Sequence, residues 1–456
     1  MNRTAKYLLI GLVVLCLAYP GMAWLIGFQV EASSLKREQQ ALDQYPGSIT
    51  LISRHYHRGV YGATEELIYG FSASALRALA PLAPITDAGA LQVTVRNTIH
   101  HGPLPQFRSI ALATLTTQVE LPAQLSAKLR ALLGGAPAIE IHSRLGWLGG
   151  MTTVIASPGY EGRLTDGTQI SWHGLRATSS ANSDLSSRSF DGSLDSFEVA
   201  AAKLHVQMAG LHVGADWKRV FGGLYTGPLD LKVTTVKWQT LPASGQGLLQ
   251  GLSISGSGSA DGDYYSSAVQ FGADVLQTSG FSVTHAGYAL SFEHLHGPTL
   301  AAMMQDARGS AVNAGAATPP SSAPPLANMK KNGIELLLHE PVLNITRIGF
   351  TMPEGELRFS AKASAPGLKR EDLDGPQLQG TLMEHLNVVA DLRIDTALAT
   401  RLMAGNARKD ALTAQLAELE RQGFIKRDGA ALTSHLAFTG GSMTVNGHAY
   451  PPRPGT

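Results

Sequence analysis

The sequence predicts an α+β protein, mainly antiparallel β, in which an N-terminal transmembrane helix leads into an extended β-rich periplasmic body with a few short helices. Three observations predict it. A charge-free apolar run stands at the N-terminus. Long stretches alternate apolar and polar residues between Gly- and Pro-containing breaks. The chain has 49 glycines and only 16% charged residues, a texture that favours strands and turns over long surface helices.

From Tyr7 to Val30 no residue carries a formal charge. As a helix rising 1.5 Å per residue, this run would reach roughly 36 Å, enough for a ~30 Å hydrocarbon layer. Arg3, Lys6 and the α-amino group precede it and Glu31 follows it, so the N-terminus is expected in the cytoplasm and the body in the periplasm, with a single pass through a bacterial inner membrane. Tyr19, Trp24 and Phe28 suit the headgroup level, and Pro20 suits a kink that leaves the span intact. Two other fates compete. Gly21-Met22-Ala23 offers small residues for signal-peptide cleavage, but cleavage there would leave Trp24 to Phe28 as an exposed apolar terminus. Lipidation at Cys16 wants a small residue where Leu15 stands. An uncleaved signal-anchor fits better. Cys16 is the sole cysteine, so the body forms no internal disulfide and is expected to rely on packing.

The chain then divides by composition. Residues 1–30 read as cytoplasmic tip and anchor, and 31–46 as a polar helical stalk ended by Pro46-Gly47. Residues 47–304 form a first β-rich region. Residues 305–328, rich in Ala, Pro and Ser, read as a flexible linker or long loop, and 329–456 as a C-terminal α+β region.

In the first β-rich region Ile49 to Ile52, Tyr56 to Tyr61, Leu67 to Tyr69 and Leu91 to Val95 carry β-branched and aromatic residues between turn signals. Leu121, Leu125, Leu129 and Leu132 predict a short amphipathic helix before Gly134-Gly135. Alternation resumes through Leu204 to Met208, Leu211 to Val213 and Leu231 to Trp238. The last run skips a residue at Thr234-Thr235, which predicts a β-bulge that keeps Trp238 on its face. In the C-terminal region Leu357 to Ala363 and Leu386 to Ile394 each predict a strand with one dry and one wet face. Asp410 is placed to cap a helix bearing Leu412, Leu416 and Leu419 on one side and ended by Gly423. A hairpin through Gly440-Gly441 and a turn at Asn446-Gly447 close the chain. His101-Gly102-Pro103 and His296-Gly297-Pro298 each follow an alternating strand, a faint echo that turn chemistry alone also produces.

This layout resembles the YdgA-like family of bacterial inner-membrane-anchored periplasmic proteins of unknown function. The match is carried by the anchor and by Tyr56-His57-Arg58-Gly59 and His101-Gly102-Pro103-Leu104. It is also carried by the run from Gly423 through Gly440-Gly441 to Val445-Asn446-Gly447. It spans almost the whole chain. The family-like positions are Tyr56, Arg58, Gly59, His101, Gly102, Pro103, Asn446 and Gly447; the resemblance implies location and architecture and implies no reaction.

The chemistry-bearing residues form no familiar constellation. His55 and His57, His100 and His101, and His294 and His296 are close in sequence. No third ligand follows at a usual spacing, and Pro341 breaks the start of H-E-x-x-H at His339-Glu340. There is no G-x-S-x-G, no Walker loop and no cysteine beyond the anchor. Asp261-Gly262-Asp263 lacks EF-hand spacing and reads first as a turn. No catalytic residue, metal site or cofactor is therefore expected. With 36 Lys and Arg against 35 Asp and Glu, nothing favours nucleic acid.

Three function classes remain. The first is a non-catalytic envelope protein, tethered to the inner membrane, that binds a lipid-like ligand or an envelope protein partner. The second is an oligomeric envelope scaffold, built as a homo-oligomer, and the third an unrecognised envelope enzyme. The first is favoured because strands with one apolar face can line a groove near lipid. Val206, Met208, Leu357 and Phe359 are its expected lining residues. The same faces could instead pack on one another as a closed core.

Overall fold

Helix α1 (Arg3–Gln44) runs without interruption through both the expected anchor and the expected stalk, with Pro20 inside it. The computed structural model describes residues 3–44, 49–71, 91–120, 139–164, 167–240, 245–314, 324–373, 378–403 and 409–450. The helix expected over Leu121 to Leu133 lies outside the described residues. Two compact units follow from the contacts: residues 1–194 with 308–322, and residues 195–307 with 323–456. The dividing point, Leu194/Asp195, falls within a strand, so the region expected at 47–304 is shared between the units.

In the first unit, antiparallel strands pair with their sequence neighbours. β1 (Ile49–Arg58), β2 (Gly62–Phe71), β3 (Leu91–His101), β4 (Ala113–Glu120), β5 (Glu140–Leu145) and β6 (Met151–Ala156) form a meander. β7 (Tyr160–Arg163) and β8 (Gln169–His173) make a hairpin between β6 and β9 (Arg176–Ala181), which pairs with both β6 and β10 (Ser187–Ala201). The core sits where α1 lands on this sheet. Ile26 and Val30 pack against Ala63, Ile99, Leu112, Ala113 and Leu145, with Tyr56 and Leu115 at the margin.

That packing revises the expected limits of the anchor. Ala23, Ile26 and Val30, spaced three and four apart, are buried against protein. A charge-free run reads the same whether it meets lipid or a sheet, and the last turns of this one meet a sheet. Further along the helix, Ser34, Arg37 and Glu38 bond to Glu65, the Gly149 carbonyl and Tyr69, so this stretch of the expected stalk lies against the sheet. Among the described residues, no helix is long and apolar enough to cross a membrane.

In the second unit the meander is longer. β11 (Leu204–Arg219), β12 (Tyr225–Thr240), β13 (Gly245–Asp261), β14 (Tyr264–Thr278) and β15 (Ser282–His296) pair in order, and β16 (Val342–Met352), β17 (Gly355–Ser364) and β18 (Asn387–Asp395) continue the series. β19 (Lys426–Asp428), β20 (Ala431–Thr439), β21 (Ser442–Val445) and β22 (His448–Tyr450) complete it, with β20 paired to β18. The mainly antiparallel β architecture expected from alternation is therefore present.

Helices α2 (Gly297–Ala314) and α3 (Pro324–Leu337) occupy both flanks of the segment expected as linker. The part of that stretch within α2 carries Ala307, Ala311 and Ala314, and alanine loses no side-chain entropy in a helix. α4 (Arg370–Leu373) and α5 (Leu378–His385) join α3 in a small satellite core of Leu368, Leu373, Ile334, Leu337 and Leu382. α6 (Thr396–Met403) buries Leu398 beside β17 and β18. α7 (Lys409–Arg421) ends at Gly423, as its leucine spacing and glycine stop predict.

Candidate functional site

The second unit's sheet has two chemically different faces, and register shows how they arise. Val213, Leu231, Ile254, Phe271, Tyr288, Ile348, Phe359 and Leu392 are consecutive cross-strand partners, one per strand from β11 to β18. A parallel row two residues along runs through Leu229, Val269, Leu290, Ile345 and Leu436. The opposite face carries His212, Lys232, Ser253, Arg358 and Arg393.

Backbone irregularities keep the apolar row continuous. Where a bulge is expected, Thr234 stands unpaired opposite Gly210 and Gly251, and the register is unchanged on either side. Apolar residues therefore step by three at Met208–Leu211, Val233–Val236, Leu249–Leu252 and Ala273–Leu276 yet remain on one face. Gly251 takes φ +62, and a Cβ there would run into the Asp274 carboxylate. On β16, Thr346 and Arg347 oppose the single Ser360, which leaves both Ile345 and Ile348 on the apolar side.

No member of the first row is buried. Tyr288 is 44% exposed and Ile348 40% exposed, and the others are half-buried. Apolar side chains that met a second packed layer would be dry. Val206 and Met208 pair with Trp238 and Val236 on β12, and Leu357 and Phe359 pair with Phe350 and Ile348 on β16. The two pairs lie six strands apart, roughly 29 Å at ~4.8 Å per strand, so they mark a stripe and not one pocket. Sequence reasoning missed Ile254, Phe271, Tyr288 and Ile348, of which Ile348 is set off from Ile345 by a bulge.

The family-like positions of the first unit converge elsewhere, beneath α1. Arg58 donates from Nη1 to Glu31 at 3.0 Å and stacks its guanidinium 3.4 Å from the Phe28 ring centroid. Gly59 turns β1 into β2 through its N–H to the Gly62 carbonyl. His101 is 1% exposed and its Nδ1–H donates to the Ala23 carbonyl at 3.0 Å. Burial holds its imidazolium below the ordinary range. Gly27 passes so close that a Cβ would sit 2.8 Å from the His101 ring. Tyr56 is half-buried at the core margin, and burial pushes its phenol up to about 12.

A buried ion cluster lies one turn further along. Glu65, 2% exposed, accepts from Arg54 Nε at 2.9 Å, Asn97 Nδ2 at 2.9 Å and Ser34 Oγ at 3.2 Å. Glu38 accepts from Tyr69 and sits 3.4 Å from Arg54, and burial raises its carboxyl. Glu65 shares the dry phase of β2 with Ala63 and Leu67, a charged residue in an apolar register that sequence inspection could have flagged. These bonds tie Ser34 and Glu38 of α1 to the sheet, so the cluster clamps α1, and Arg54, Glu65 and Asn97 also line a cleft of about 680 Å³.

Asn446 and Gly447 form the β21–β22 turn with φ +52 and +85. Asn446 accepts from the His435 N–H at 2.9 Å and donates to the Gly423 carbonyl at 2.8 Å, tying the end of α7 to the last hairpin. His294, His296 and His339 gather near Tyr264, but as stacked rings: Tyr264 on His294 at 3.8 Å and His296 on His339 at 4.0 Å. Among the described residues, no group of three or more His, Cys, Asp or Glu is placed to hold a metal ion.

The family model described as a bacterial protein of unknown function (DUF945) matches residues 1–453. No curated protein and no solved structure matches the chain.

Proposed function

We propose that this chain, which belongs to the DUF945 family of bacterial proteins, is a non-catalytic envelope protein that holds a lipid-like ligand along the apolar face of its second unit. In this reading the N-terminal half of α1 anchors it in the inner membrane, with the N-terminus cytoplasmic and the body periplasmic, as in the YdgA-like group. The charge-free run after Arg3 and Lys6 supports the anchor.

The apolar row from Val213 to Leu392 carries the ligand reading. Exposed apolar patches of this extent are rare on soluble monomers and mark surfaces that meet lipid, ligand or protein. A strip one side chain wide, rising and falling with the pleat, suits acyl chains, which are long, flexible and without directional polar demands. The polar face behind it keeps the other side in water.

The test is uptake of a fluorescent fatty-acyl probe by the purified full-length chain, with Phe359→Asp as the variant. Wild type should take up the probe, and a folded Phe359→Asp chain should take up less. If neither binds and the chain sediments as a defined homo-oligomer, the apolar face is an interface between copies and the scaffold reading replaces this one. Probe uptake unaffected by Phe359→Asp would overturn the assigned face.

A further inference from the structure

We propose that the aromatic collar where α1 leaves the first unit's sheet, with the basic cleft beside it, is a seating surface for a bilayer containing anionic phospholipid. This rests on the anchor reading above and adds a second contact, made by the body itself.

The collar is built from two loops and one helix turn. Tyr19 stacks on Phe107 at 5.4 Å and on Tyr61 at 6.0 Å, and its hydroxyl donates to the Leu104 carbonyl at 2.9 Å. These contacts join α1 to the β1–β2 turn and to the loop between β3 and β4. Phe107 is 77% exposed and Ile110 72% exposed. Gln106 and Phe107 both hold positive φ, +54 and +58, a conformation that costs a non-glycine residue on the order of 1–3 kcal/mol and here leaves the ring facing outward. Around the helix, Met22, Trp24, Leu25 and Phe28 are exposed, Trp24 and Phe28 beside the Arg58 guanidinium.

Two features of the chain point to lipid as the occupant. The first is where α1 goes. From this collar its N-terminal part continues into the charge-free run headed by Lys6 and Arg3. With Ala23 and beyond packed on protein, the run left for lipid is Tyr7 to Met22, roughly 24 Å at 1.5 Å per residue, short of a ~30 Å hydrocarbon layer. A short span draws its flanks toward the bilayer, and aromatic side chains at the headgroup level are the flanks that accept this.

The second is charge. On the sheet face opposite α1, a cleft of about 750 Å³ is lined by His100, Arg108, Ser109, His142 and Arg144, and among the described residues no carboxylate lines it. Arg108 follows Phe107 directly, so a ring placed among headgroups brings that guanidinium to the depth of lipid phosphates.

The experiment uses the full-length chain with Cys16→Ala and a single fluorophore-labelled cysteine, reconstituted into phosphatidylcholine vesicles with or without phosphatidylglycerol. Spin-labelled lipids serve as quenchers. Labels at Phe107→Cys and Ile110→Cys should be quenched several-fold more than one at Val119→Cys, an exposed position at the other end of β4. Quenching should rise with phosphatidylglycerol, and Arg108→Glu with Arg144→Glu should remove that rise. Equal quenching at all three positions in a chain that floats with the vesicles would overturn the seating surface and leave the anchor standing. A chain that does not float would overturn both. Quenching indifferent to phosphatidylglycerol would remove the basic cleft from the surface.

Discussion

Glu65 shows how far one residue can commit a structure. Its carboxylate is desolvated and held by Arg54, Asn97 and Ser34, the last of which lies on α1. Removing one partner of a buried ionic group costs about 3–5 kcal/mol because the other charge stays buried. Glu65→Ala should therefore lower stability by that order, measured by denaturant unfolding in detergent, and should loosen α1 from the sheet; a change below about 1 kcal/mol would show that the cluster is hydrated. His101 makes a pH prediction. Its folded pKa is depressed by burial, so the unfolded chain binds more protons near that range and stability is full above about pH 6.5. It should fall as pH drops from there through the depressed folded value, and the His101→Gln variant should lose that part of the slope. An unchanged slope would exclude His101 as its source. Neither residue was assigned this role from sequence, because His101 reads as a strand-end turn residue until α1 is seen to lie on it.

At the scale of elements, the strands were legible and their interruptions were not. Alternation in Leu357 to Ala363 and Leu386 to Ile394 gave β17 and β18 almost to the residue. The Leu412, Leu416, Leu419 spacing gave α7. The line of unpaired residues through Gly210, Thr234 and Gly251 showed in sequence as a single skipped residue. A helix such as α1 is harder still, since an apolar stripe has the same composition whether it faces lipid or Ile99. These positions carry their own prediction. Gly251→Val meets both a positive φ and the Asp274 carboxylate, so it should shift register locally and cost about 1–3 kcal/mol. Hydrogen exchange should then quicken in β13 and β14 and leave β17 and β18 unchanged; uniform quickening would mean that the sheet opens as one unit.

For the whole molecule, composition, alternation and the charge-free N-terminus were enough to predict an N-terminal helix and a mainly antiparallel body. What they could not supply was the uneven exposure along the second unit's apolar face, where Tyr288 and Ile348 are exposed and Val233 and Ala273 buried, because alternation is identical for a groove and for a closed sandwich. That difference rests on tertiary placement alone, seen here in the exposure of Tyr288 and Ile348. A photo-crosslinking amino acid at Phe359 or Ile348 in living cells tests the claim most directly, with Arg358 and Ser253 on the opposite face as controls. Lipid adducts from the first pair and none from the second are the predicted result. Adducts to another copy of the chain from Phe359 and Ile348, or lipid adducts in equal yield from both faces, would contradict it.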